Sequence, residues 1–146
     1  MPFTHFTGQD YEGMQALRIP QDGALYFVFI SSNDPHTGQP WCPDVRLALP
    51  SLETTFFHKD LWAVFVRVGQ PEEWRDANNP WRQDPWRIIN IPTVARYERN
   101  AAGEVKEVGR LIERNILEEW RLQQLVWRKN DQGIYANDQG VQSPSS

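Results

Sequence analysis

Cys42 is the only cysteine among the 146 residues of this chain. No internal disulfide can form, so any redox cycle the sulfur enters must be closed by a second molecule. It sits in Trp41-Cys42-Pro43-Asp44-Val45, which has the shape of a redox Cys-x-x-Cys site with valine in place of the second cysteine. The thiolate is the reactive form of cysteine, and it is stabilised at a helix N-terminus by unpaired backbone N–H groups and the helix dipole. The sequence predicts that placement. Pro43 suits a first helical turn, and Val45, Leu47, Leu49, Leu52, Phe56 and Phe57 are compatible with a helix to about His58, kinked at Pro50. Trp41 can shield one side of the sulfur and present an apolar surface to a substrate. The Asp44 carboxylate suits a helix start but disfavours a neighbouring thiolate. It reads equally well as an ordinary first-turn acid or as a proton-transfer group.

Other chemistries find little support. Asp34, His36, Cys42 and Asp44 match no standard zinc spacing, so no metal is expected, and no other cofactor. A Gly-rich phosphate loop, a Ser-His-Asp ordering and a zinc-protease motif are all missing from the sequence.

The elements that must hold Cys42 follow from hydrophobic patterning. Ala24 to Ile30 is a nearly continuous apolar run rich in aromatic and β-branched residues, which predicts a central strand covered on both faces. The turn formers from Ser31 to Pro40 then make a long loop that ends at Trp41. Leu61 to Val68 reads as a second buried strand, and Gly69 to Asp84 as a long polar connection of the kind that often carries function. Thr93 to Tyr97 and Glu104 to Val108 read as a β-hairpin. Arg110 to Trp127 reads as an amphipathic helix, with Ile112, Ile116, Trp120 and Trp127 on its buried face. Upstream, Phe3 to Phe6 alternates weakly like a short strand, and Gln9 to Ile19 reads as an irregular helix ending before Pro20. Periodicity assigns Trp120 and Trp127 to the core, whereas Trp74, Trp81 and Trp86 divide evenly between bracing the long connection and recognising a substrate. Strands and helices in this order predict an α/β protein, a mixed sheet with helices packed on it.

Composition narrows the partners. A net charge of −4 with scattered basic residues offers no surface for tracking phosphates, so no nucleic acid is expected. The apolar runs are strand-length, far short of the roughly 20 residues of a membrane span, so no membrane is expected either. A lone cysteine and an N-terminus without the pattern of a secretory signal predict a cytoplasmic location.

Three ordered motifs carry a resemblance. The Trp41-Cys42-Pro43-Asp44 stretch after its long loop, then Val68-Gly69 with Trp74-Arg75-Asp76-Ala77-Asn78-Asn79 and Arg82, and finally Ile91-Pro92-Thr93, together resemble the thioredoxin domain-containing protein 17 family, over about residues 24 to 127. Position 45 departs from that family's Trp-Cys-Pro-Asp-Cys pattern. The resemblance implies a thioredoxin-like three-layer sandwich, assigned to residues 1–128, while the polar and Gly-rich composition of residues 129–146 predicts a disordered tail. It implies that Cys42 is the catalytic nucleophile. Trp41, Pro43, Asp44, Ile91 and Pro92 would then be substrate-binding residues, with a cis Ile91-Pro92 bond facing the cysteine. The implied activity is thiol–disulfide exchange of the protein-disulfide reductase type, reduced to a monothiol site. Its partners would be disulfide-containing peptides, proteins or cystine-like small molecules, with thioredoxin reductase or glutathione as the thiol source. The alternative is a redox-inactive thioredoxin-fold binding module that takes up extended peptides beside Pro92.

Overall fold

All six residues of β1, Leu25–Ile30, are buried in the computed structural model, which describes residues 9–19 and 23–127. A strand that is apolar at every position has no face to offer water, and its neighbours explain why it needs none. It pairs in parallel with β2, Trp62–Arg67, and antiparallel with β3, Thr93–Arg99, which in turn pairs antiparallel with β4, Val105–Ile112. The order is β2-β1-β3-β4, a mixed sheet. Parallel strands need a crossover, and here the crossover is α2, Pro43–Phe56, the helix that Cys42 introduces.

Alternation along β1 sends side chains into two different cores. On one face Tyr26 meets Phe56 of α2 with ring centroids 5.1 Å apart, and its hydroxyl donates to the Val126 carbonyl at 2.9 Å. That carbonyl ends α4, Glu119–Val126. On the other face Phe27 lies 5.0 Å from Trp86 and Phe29 lies 5.5 Å from Trp81. The sheet is therefore the middle of three layers, an α/β sandwich of the thioredoxin type. Val45, Ala48, Leu52 and Phe56 form the buried stripe of α2, which remains one continuous helix across Pro50.

The C-terminal third departs from the helix expected over Arg110 to Trp127. β4 continues to Ile112, a 3-10 turn spans Glu113–Leu117, and α4 is confined to Glu119–Val126. The ladder to β3 holds the extension, pairing Val94 with Leu111 and Thr93 with Ile112 after a register shift between Arg96 and Tyr97. Strand residues and helix residues had combined into a false three- and four-residue rhythm. Trp120 accordingly lies outside the core, 54% exposed, while Leu122, Leu125 and Val126 form the buried set. Gly109 lets α4 come close: a Cβ there would sit 2.8 Å from Leu125 Cδ1.

The expected long connection contains structure of its own. A short helix, α3, spans Pro71–Arg75 with a capping box between Gln70 and Glu73, and a 3-10 turn spans Pro80–Arg82. Trp74, Trp81 and Trp86 are all buried, and the contacts of Trp81 and Trp86 with Phe29 and Phe27 favour bracing for those two. Among the described N-terminal residues 9–19, only Tyr11–Gln15 is helical, as α1. The strand expected over Phe3 to Phe6 and the tail expected after residue 128 lie outside the described residues.

Candidate functional site

Cys42 is the N-cap residue of α2, with φ −83° and ψ 122°. The loop before it is closed by an isolated bridge between Asn33 and Pro40 and by the Asp34 N–H donating to the Gln39 carbonyl at 2.7 Å. This closure returns the chain to the end of β1, where the Cys42 N–H donates to Ser31 Oγ at 3.2 Å. The sulfur is half-buried and lies 4.0 Å from the Ile91 carbonyl oxygen. The Ile91-Pro92 peptide bond is cis, and both residues are buried. This bend is fixed from two sides. The Glu113 N–H donates to the Pro92 carbonyl at 2.8 Å, and Thr93 Oγ1 donates to the Asn90 carbonyl at 2.6 Å.

Trp41 is pinned at both ends. Its indole N–H donates to the Gly69 carbonyl at 2.9 Å, and its own carbonyl accepts from Arg46 at 3.1 Å. Gly69 has φ +111°, and a Cβ there would meet Glu73 Cβ at 2.8 Å; the turn into α3 therefore admits only glycine. Asn79 organises the same turn from within. Its amide donates to the Val68 and Glu73 carbonyls at 3.0 and 2.9 Å, and its oxygen accepts from the Trp81 N–H at 2.9 Å. Pro43 is exposed in the first turn of α2. Asp44 is half-buried there, 4.0 Å from the exposed Arg114 guanidinium, a pair that contributes little in solvent. The Val45 side chain is fully buried.

Beside the sulfur lies an open groove of about 340 Å³. Of the residues singled out from the sequence, Trp41, Cys42, Asp44 and Ile91 line it, whereas Pro43 and Pro92, next in the chain to Cys42 and Ile91, are not part of its lining. The groove also takes in Trp74, Arg75 and Arg82 from the α3 segment and Ile89, Asn90 and Glu113 from the far wall. Sequence reasoning weighed a recognition role for Trp74 and gave the other five no specific role at the site. Arg75 lies within the Trp74–Asn79 motif and Arg82 just after it, but only the folded α3 and the 3-10 turn that follows bring them to the groove beside the cysteine. Ile89 is 65% exposed, an apolar residue on the rim.

The arrangement can perform nucleophilic sulfur chemistry on a group entering the groove, because the sulfur borders open space and backbone carbonyl rather than hydrocarbon alone. Among the described residues no group of three or more His, Cys, Asp or Glu side chains could hold a metal ion. No described helix is long and apolar enough to cross a membrane.

Comparison with known proteins agrees with this geometry. The family model described as thioredoxin domain-containing protein 17-like, thioredoxin domain, matches residues 8–127. The chain is similar to a thioredoxin domain-containing protein of Schizosaccharomyces pombe, at 37% identity over 60% of this chain and 71% of the other. It is also similar to the thioredoxin-like protein Clot of Oryza sativa subsp. japonica, at 34% identity over 65% of this chain and 67% of that protein. Among solved structures, thioredoxin O2 of Arabidopsis thaliana in its oxidised state aligns over 80% of this chain and 86% of its own, with 12% identity and a TM-score of 0.46.

Proposed function

Given that this chain belongs to the thioredoxin domain-containing protein 17-like family, we propose that it carries out thiol–disulfide exchange with a single sulfur. The observation that supports this reading is the Cys42 sulfur at the start of α2, 4.0 Å from the Ile91 carbonyl and opening into a groove. The Cys42 thiol loses its proton to solvent, and the thiolate attacks one sulfur of a disulfide R–S–S–R′. A Cys42–S–S–R bond forms, the substrate S–S bond breaks, and R′–S⁻ leaves with the electron pair. Trp41 and Ile91 frame the incoming chain.

Resolution requires an outside thiol, since valine stands at position 45. A glutathione-type thiolate attacks the R sulfur, which frees Cys42 as thiolate and leaves R in a mixed disulfide with the external thiol; a second external thiol then releases R as thiol, so two thiols, oxidised to their own disulfide, supply the two electrons. An intramolecular partner can reach an effective molarity of about 10^5 M or more, far above any cellular thiol. Release is therefore the slow step, and the mixed disulfide accumulates. Such a cycle needs a reducing compartment such as the cytoplasm, and small cystine-like disulfides or exposed protein disulfides fit the open groove.

The test is to treat the whole chain with glutathione disulfide or cystine, measure its mass, and follow recovery when glutathione is added. One adduct should form, Cys42→Ser should form none, and release should be first order in added thiol. An unmodified wild-type chain would sink this reading and leave the groove as a peptide-binding surface beside Pro92.

A further inference from the structure

The groove beside Cys42 carries two guanidinium groups that no carboxylate neutralises. Arg75 lies over the Trp41 ring, Cζ 5.7 Å from its centroid, and Arg82 lies over the Trp74 ring at 3.9 Å, with its Nε donating to the Trp74 carbonyl at 2.6 Å. Among the described residues neither forms an ion pair, whereas Arg87, Arg96, Arg110 and Arg121 each pair with an acid within three residues along the chain. A guanidinium laid on an aromatic face can still present N–H groups at its edge, and although Arg82 spends its Nε on the Trp74 carbonyl, the terminal N–H groups of both arginines match a carboxylate in a planar, two-point contact. The lining also holds two acids, Asp44, 4.0 Å from Arg114, and Glu113, whose backbone N–H holds the Pro92 carbonyl, and neither forms an ion pair with Arg75 or Arg82. The Trp41–Trp74 wall thus presents two unpaired guanidinium groups in a chain whose net charge is −4.

Resting on the reading of Cys42 as a nucleophile, we propose that this wall selects disulfides that carry a carboxylate beside the reacting sulfur. Arg75 and Arg82 are the specificity-determining residues. The carboxylate belongs either to a small anionic disulfide or to an acidic residue next to a peptide cysteine.

The experiment measures the rate at which the full chain is modified at Cys42 by the dianionic 5,5′-dithiobis(2-nitrobenzoate) and by the neutral 4,4′-dithiodipyridine, for wild type, Arg75→Gln and the Arg75→Gln/Arg82→Gln double variant. The ratio of dianion rate to neutral rate should fall about tenfold in the double variant, the loss of one charge-assisted contact. It should fall by a smaller factor in Arg75→Gln, and raising the salt concentration should reduce the wild-type ratio. A second arm uses two peptides that differ only in Asp or Asn beside a 2-thiopyridyl-activated cysteine. An Asp preference that disappears in the double variant assigns the wall to peptides. A preference confined to the small dianion assigns it to small molecules, and either result supports the proposal. A ratio unchanged by both variants overturns it while leaving the nucleophile intact, as does an equal loss with both probes, which would mark the arginines as structural. A wild-type chain that reacts with neither probe overturns the nucleophile itself.

Discussion

On the proposed monothiol cycle, Val45 sets the rate of release while playing no part in the groove surface. It is fully buried on the inner stripe of α2, three residues from Cys42, so the two side chains start from the same end of one helix. Residues three apart on a helix have Cβ atoms about 5–6 Å apart, and a disulfide needs about 3.5–4.5 Å. Closing the ring therefore takes only a modest shift in the first turn. Val45→Cys should convert trapping into turnover, raising the rate of adduct release by a factor on the order of 10^2 or more. Stopped-flow release from a glutathione mixed disulfide, with no external thiol added, measures it. A variant that still holds its adduct would show that the helix start cannot bring the second sulfur round.

Tyr97 gives a second test at the same scale, unrelated to catalysis. Its phenol is buried with no hydrogen-bond partner among the described residues, and burial, followed by the nearby Glu107 carboxylate, pushes its pKa well above the ordinary value of 10.0. The folded state therefore keeps the proton while the unfolded state releases it near pH 10. The stabilisation is fully present below that pH and is lost as pH rises above it. Tyr97→Phe removes an unsatisfied hydroxyl. It should hold or raise stability by up to about 1 kcal/mol at pH 7 and flatten the decline between pH 10 and 11, as read by urea unfolding at each pH.

At the scale of elements, the tryptophan-bearing segment from Gly69 to Pro92 is what turns an ordinary helix start into a site. It supplies the carbonyl that holds the Trp41 indole, both groove arginines and the cis bend opposite the sulfur. Asn79 is its internal brace, with three hydrogen bonds at 2.9–3.0 Å from a nearly buried side chain. Asn79→Ala leaves the Val68 and Glu73 carbonyls and the Trp81 N–H without that partner. The expected cost is about 2–3 kcal/mol, measured by denaturant unfolding, with slower adduct formation at Cys42 because the Trp41 anchor loosens. Stability loss without any change in adduct rate would separate this segment from the site. The same segment marks the limit of what the sequence revealed. β1, β2 and α2 were legible because continuous burial writes itself as an apolar run and a helix stripe as a three- and four-residue rhythm. The tryptophans were ambiguous because an indole in a polar loop serves bracing and recognition alike; contacts with Phe27 and Phe29 assign Trp86 and Trp81 to bracing, while Trp74 lines the groove. The groove arginines could not be placed from spacing at all, since more than thirty residues separate Arg75 from Cys42.

The whole molecule is closed by one buried cation. Arg96 stands on β3 with no exposed surface, opposite Tyr26 in the ladder. Its Nε donates to Glu98 at 2.6 Å. Its Nη1 donates to the Tyr26 hydroxyl and to the Leu125 and Val126 carbonyls, the last two at 3.0 Å. Those carbonyls are the orphan acceptors that every helix leaves at its C-terminus, and a positive charge there also answers the helix dipole. Arg96 therefore fastens α4 to the two central strands. Sequence reading that extended the helix back into β4 had no means of finding this, because the fastening depends on where α4 ends and on the register shift beside Arg96. Removing such a charge strands its partners, and losing a buried charged partner costs about 3–5 kcal/mol. Arg96→Met keeps most of the volume and should lose stability in that range, with amides of α4 losing protection from hydrogen exchange before those of β1. The groove lies beyond the other end of β1, near Ser31, so the surviving folded fraction should still form the Cys42 adduct at close to the wild-type rate. Uniform loss of protection across sheet and helix would mean instead that α4 and the sheet unfold as one cooperative unit, with Arg96 contributing to all of it equally.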